Sequence, residues 1–174
     1  VGYDAGVAVT TGLQNTLIGA LAGDAITVGN NNIAIGKSAL SAEVGGQDSV
    51  AIGSNALAAQ SSSSGNVYNV AMGKNAGAAV TTGVHNTLIG GLAGDALLAA
   101  ADNVAVGYLS LSAETGGQNN VAIGVNTLKA QVNSSGNIYN TAVGAKAGES
   151  VTTGTFNTFI GGLAGDALTD ADFN

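Results

Sequence analysis

Apolar and polar positions alternate in short bursts along the chain. Asn-Thr-Leu-Ile-Gly, Asn-Ile-Ala-Ile-Gly and Ser-Val-Ala-Ile-Gly are followed by six further variants of Asn-x-x-(Ile/Val/Met)-Gly. The closing glycines are Gly19, Gly36, Gly53, Gly73, Gly90, Gly107, Gly124, Gly144 and Gly161, and Gly2 closes an earlier, truncated motif. Alternation of this kind predicts a β-strand of about five residues in each burst. A second short strand is expected at positions +4 to +8, counted from the closing glycine. Helix is excluded, because a glycine in a helix interior costs about 1 kcal/mol and glycine recurs throughout.

The bursts are evenly spaced. Successive closing glycines lie 17, 17, 17 and 20 residues apart, and the series then repeats with a period of 71. The longer period is visible directly: Thr-Thr-Gly begins at Thr10, Thr81 and Thr152, and Leu-Ala-Gly-Asp-Ala at Leu21, Leu92 and Leu163. Repeats this short and regular indicate a solenoid. Residues 1–174 therefore read as one array, with copies at 2–72, 73–143 and a partial 144–174. The expected fold is an all-β, parallel β-solenoid of about ten coils of 17–20 residues. At a coil rise near ~4.8 Å the rod would be on the order of 48 Å long. The array opens and stops within a repeat, at Asn174, without the capping units a solenoid needs, which predicts an excerpt of a longer fibre.

Within a coil each position has its own rule. Asn stands at −4, Ser49 excepted, and a β-branched or long apolar residue at −1. Small residues stand at +3 and +6. Positions +4 and +7 vary together: two coils carry Gly at +4 with an aliphatic at +7, as in Gly23 and Ile26. The next two carry Leu at +4 with Glu or Gln at +7, as in Leu40 with Glu43 and Leu57 with Gln60. One large apolar residue per coil is thereby kept, as a thin shared core requires, and alternate pairs of coils should differ in their exposed face. Positions −1 and −3 lie on one side of the strand and −2 on the other, and neither side carries charge. Only one side can line the coil, so the other needs a partner. A parallel homotrimer supplies it.

Composition narrows the functional classes. The chain holds 28 Gly in 174 residues, no Pro and no Cys, and 45% hydrophobic residues. Collagen is excluded without proline, disulfide frameworks and thiolate metal sites without cysteine, and a disordered linker by the apolar content. Charged residues make up 9%, and the net charge of −7 argues against a nucleic-acid partner, which needs a basic surface. No apolar run reaches the ~18–20 residues of a membrane helix, so no direct membrane insertion is expected, and no signal peptide is visible.

The repeated Asn-Val-Ala-Ile-Gly-type unit, as at Asn32–Ala39, Asn69–Ala76 and Asn120–Thr127, resembles the YadA-like head repeats of trimeric autotransporter adhesins. The fuller phrase Thr-Thr-Gly-x-x-Asn-Thr-x-Ile-Gly-x-x-Ala-Gly, at Thr81–Gly94 and Thr152–Gly165, is similar to repeats of phage and bacterial tail-fibre proteins. The resemblance implies a trimeric, left-handed β-roll in an extracellular setting, on a bacterial cell surface or a virion fibre. It implies an adhesive or spacer role, with a cell-surface glycan or protein receptor as the partner besides the chain itself. Two features depart from adhesin heads: the spacing of 17 and 20 is longer than their units of 14–15, and no stalk or anchor is in view.

Candidate chemistry is sparse. The row Asn15, Asn32, Asn69, Asn86, Asn103, Asn120, Asn140 and Asn157 reads as a structural ladder of stacked amides rather than a sugar-binding row. Asp24, Asp95 and Asp166 share register +5, but each stands alone, whereas calcium needs six to eight oxygens. No metal or cofactor is expected, and the free variation at +5 suggests a solvated site. His85, the one histidine, occupies a slot filled by Gln14 and Phe156 in other copies, and no nucleophile accompanies it. No phosphate-binding glycine motif occurs. No catalytic residue is assigned, and a polysaccharide-acting enzyme would need a carboxylate-lined groove that the scattered acids do not predict. Thr-Thr pairs recur only once in four coils, too sparsely for an ice-ordering face. The three-residue insertion in every fourth coil gives Gln60–Asn66 and Gln131–Asn137. Its Ser61, Ser62, Ser63, Ser64, Asn133, Ser134 and Ser135 are the candidate receptor contacts, because Ser/Gly insertions protrude as loops. Asn133-Ser134-Ser135 is also a glycosylation sequon.

Overall fold

A computed structural model describes residues 1–174 and contains strands but no helix. Nine strands of three residues follow one another: β1 Thr16–Ile18, β2 Ile33–Ile35, β3 Val50–Ile52, β4 Val70–Met72, β5 Thr87–Ile89, β6 Val104–Val106, β7 Val121–Ile123, β8 Thr141–Val143 and β9 Thr158–Ile160. They form one parallel sheet in sequence order β1 to β9, each paired in register with the next. One strand per coil and no crossing of order make this a β-solenoid. Residues from Gly2 onward add a partial layer below β1, with Gly6 and Ala8 donating backbone bonds to Ala22 and Asp24.

The second strand expected at +4 to +8 is absent. Positions +2 and +4 adopt left-handed φ values in every coil, as at Leu40 (54°), Leu57 (48°), Lys146 (62°) and Gly77 (59°). Alternation of left- and right-handed residues curls the chain and prevents an extended segment. A side chain in this region costs roughly 1–2 kcal/mol. The cost is offset because the curled backbone bonds to the next coil, as in Leu40 N to Ala56 O (3.0 Å) and Leu57 N to Ala76 O (3.1 Å). Most backbone bonds lie outside the strands, 87 of 103, so the turns carry the stack as much as the sheet does.

Each closing glycine has φ between +124° and +140°, and each but the last, Gly161, lies against its counterpart in the next coil. A Cβ on Gly90 would stand 2.5 Å from the Gly107 carbonyl oxygen, and one on Gly36 2.5 Å from that of Gly53. No side chain fits there, and the repeat of Gly at this position follows.

The core is one apolar column inside the coils, containing the strand centres Ala34, Ala51, Leu88, Ala105 and Phe159. Its volume is exchanged between coils. Where −2 is large, the +4 glycines on both sides make room: a methyl on Gly77 would meet Leu88 Cδ1 at 2.6 Å, and one on Gly94 would meet Leu88 Cδ2 at 2.8 Å. Leu17 lies in the same way between Gly6 and Gly23, and Phe159 between Gly148 and Gly165. In the coils with Ala34, Ala51, Ala105 and Ala122 at −2, Leu40, Leu57, Leu111 and Leu128 fill the interior instead.

Position +7 does not create a different exposed face. Glu43, Gln60, Glu114 and Gln131 are fully buried. Glu43 Oε1 accepts backbone N–H groups from Val44 (2.9 Å), Gly45 (3.1 Å), Gly46 (2.6 Å) and Ser62 (3.2 Å). Its Oε2 accepts Gln60 Nε2 at 2.9 Å, and Gln60 Oε1 accepts Asn69 Nδ2 at 2.9 Å. Glu114, Gln131 and Asn140 repeat the arrangement. A buried carboxylate is tolerated when such donors surround it. Gly46 admits it, since a Cβ there would lie 2.8 Å from the carboxyl group.

Two outcomes are expected in urea unfolding. Gly90→Ala should cost at least about 3 kcal/mol from clash and strain, whereas Gly91→Ala, whose new Cβ meets nothing nearer than the Tyr108 ring at 3.5 Å, should stay within about 0.5 kcal/mol. Glu43→Gln should cost roughly 1–3 kcal/mol, because its amide turns a donor toward Gln60 Nε2. Reorienting Gln60 only moves the conflict to Asn69. Equal stability of the two glycine variants would refute the close-approach argument.

Candidate functional site

The −4 ladder lies inside the coil. Asn32, Asn69, Asn86, Asn103, Asn120, Asn140 and Asn157 are fully buried, and Asn15, in the lowest complete coil, is half-buried. Asparagine suits the place because one side chain both donates and accepts. Asn32 Nδ2 donates to Gly46 O across its own coil (2.9 Å), while its Oδ1 accepts Ser49 N of the next (3.0 Å). Asn86, Asn103 and Asn120 continue the chain of bonds upward. Ser49 is too short to continue it, and its hydroxyl instead accepts Gln60 Nε2 at 3.1 Å. These amides have no face toward a ligand.

The insertions form loops, but their first residues are tied down. Ser62 is half-buried, donates its N–H to Glu43, and accepts Gly45 N at 2.9 Å. Asn133 does the same over Glu114, with its N–H at 3.0 Å and its Nδ2 at 3.3 Å. Ser61, Ser63, Ser64, Ser134 and Ser135 are exposed. The buried glutamates therefore anchor the loops, and only the loop tips face solvent.

A column of side chains at −5 stands outside the sheet. Tyr68 stacks on His85 (centroids 5.9 Å apart), and His85 Nδ1 lies 3.1 Å from Asp102 Oδ1. Tyr139, Phe156 and Phe173 continue at 5.3 and 5.1 Å, the last pair within 5° of parallel. Rings stacked along the rod cover one another's faces and present edges. They pack as an apolar ridge rather than a flat platform for a sugar ring. The sequence pattern did not single out this column, whose members are aromatic in only some coils.

The one concave feature lies on the turns that follow the closing glycines. Asp95, Ser112, Lys129 and Glu149, all at +5 in four successive coils, line it with Leu109, Ala113, Ala130 and Ser150. Lys129 has no carboxylate within 4.0 Å, whereas Glu149 pairs with Lys146 at 3.3 Å. The +5 column is less solvated than expected. Asp24 and Asp95 are half-buried, and Oδ1 of each is buried without a hydrogen-bond partner. Burial raises the Asp95 carboxyl above its usual 3.8, opposed by its own backbone N–H. No three metal-ligating side chains come together anywhere in the chain.

A raised value means that the folded state holds this proton more tightly than the unfolded one. The resulting stabilisation is complete below pH 3.8 and is lost as pH rises through the raised value. The advantage of Asp95→Asn over the native chain should therefore be greatest at pH 7 and shrink toward pH 4, as read by urea unfolding at both. The effect should be small, because much of the carboxyl remains solvated. An advantage that grows on acidification would refute it.

The chain matches no family model, and comparison with known proteins and with solved structures finds no match for it.

Proposed function

We propose that the chain is a structural and adhesive segment of a homotrimeric fibre on a bacterial surface or virion, where it displays or provides binding to another surface. One observation carries the reading: the outer side of the nine-stranded sheet is uncharged from end to end. Positions −3 and −1 of every strand are Ile, Val, Met or Thr, and Ile18, Met72, Ile89, Ile123 and Ile160 are exposed on the single chain. Soluble chains rarely leave a continuous apolar stripe of this length uncovered. Three parallel copies with their stripes toward a common axis would cover it, and identical in-register coils make that packing repeat along the rod. Rod-like stacking with buried, structural polar groups fits a shaft, while the lateral groove and loop tips give the segment somewhere to bind. A pure spacer differs from this reading only in lacking the binding.

Light scattering should give three times the 16.6 kDa chain mass. The double substitution Ile89→Lys with Ile123→Lys should reduce it threefold with little change in the single-chain fold, since both side chains are already partly exposed there. A monomeric native chain, or a trimer indifferent to the two lysines, would overturn the fibre reading.

A further inference from the structure

Strict repetition separates what the scaffold needs from what it does not. Positions 71 residues apart occupy equivalent places, so a residue required by the fold should recur. One 71-residue period earlier the equivalents of Lys129, Glu149 and Ser150 are Ala58, Ala78 and Ala79, and Ser38 stands at the equivalent of Leu109. Alanine suffices at three of these places for the same coil geometry. The depression occurs only where these three alanines are replaced. Two charges and a hydroxyl have been added to one lateral patch without a structural demand for them.

The groups that line the patch are mixed in a particular way. Asp95 and Glu149 only accept hydrogen bonds, Lys129 only donates, and Ser112 and Ser150 do both. They follow one another coil by coil, about 4.8 Å apart along the rod, over a floor of Ala113, Ala130 and Leu109. A simple anion would meet two carboxylates, and a simple cation would meet Lys129. A neutral ligand rich in hydroxyls can donate to both acids and accept from the lysine.

We infer that the Asp95–Glu149 groove is a binding site for a neutral, extended oligosaccharide. The Asp95 carboxylate at one end accepts a hydrogen bond from a sugar hydroxyl, Lys129 donates in the middle, and the Lys146-held Glu149 accepts from a second hydroxyl at the other end. The depression is shallow and has no aromatic lining, so each site binds at millimolar strength, and useful affinity comes from several copies of the chain acting together. The inference gives the binding half of the fibre proposal a place and a ligand class, and the groove itself needs only one chain.

The test uses the full 174-residue chain with maltohexaose, cellohexaose and the hexamer of N-acetylglucosamine as probes, read by saturation-transfer NMR. At least one should bind, and the Lys129→Ala/Glu149→Ala double variant should weaken it at least tenfold. Those are the residues that stand one period earlier, Ala58 and Ala78, so the variant should fold, which thermal unfolding and light scattering check. Overturning results are no transfer from any of the three, binding unchanged in the double variant, or preference for a sulfated or sialylated oligosaccharide or a neutral peptide of equal length. A native monomer that binds sugar refutes the trimer alone, whereas a trimer that binds none refutes the groove alone.

Discussion

The contact between one closing glycine and the next sets the geometry of the whole rod. With a carbonyl oxygen only 2.5 Å from where a Cβ would stand, as at Gly36 and Gly90, successive coils stack in one register. The three-residue strands on the N-terminal side of these glycines pair residue for residue. The turns on the other side begin from a fixed direction. A coil of 17 residues has too little interior to hold itself together, so the stack depends on contacts between coils. Neighbouring coils share backbone bonds, Asn amides and core volume.

The core and the polar ladder respond differently to that constraint. Apolar volume can move within the coil, so Leu88 at −2 replaces Leu57 at +4 provided that the neighbouring +4 positions become glycine. Hydrogen bonds cannot move as freely, because each Asn links a particular carbonyl to a particular N–H. Beside Ser49, which interrupts the ladder, Gln60 donates to the Ser49 hydroxyl and to Glu43 and accepts Asn69 Nδ2. The insertion above Glu43 then completes the carboxylate's donors through Ser62. The longer fourth coil is thus coupled to the buried acid beneath it.

The period, the glycine and asparagine columns and the solenoid class were legible in the sequence, because each is a local requirement repeated at a fixed interval. The second strand was misread because left-handed φ at Leu40 or Leu57 is invisible in composition. Leucine avoids that region unless neighbouring coils hold it there. The burial of Glu43 was hidden by its charge, although a signal was present: Glu43-Val44-Gly45-Gly46 recurs as Glu114-Thr115-Gly116-Gly117, and an acid before paired glycines can be wrapped by their N–H groups. Asp95 and Lys129 looked like free variation at +5 until the fold set them along one groove.

A rod of this kind solves solubility and specificity on different surfaces. Apart from Glu43 and Glu114 its interior carries no charge, and its sheet face is uncharged, so few charges are needed anywhere, consistent with 9% in all. Apart from the recurring Asp24, Asp95 and Asp166, every charge outside the buried glutamates lies at a position that a different residue fills in another copy. Such positions can change in one copy without disturbing the stack, as Ala58 and Lys129 demonstrate at equivalent places in adjacent copies. A repeat array can thus acquire a binding patch by substitution at a few outward positions while the glycine and asparagine columns keep the rod unchanged. In such a fold, departures from the repeat outside the core are where binding chemistry is to be sought.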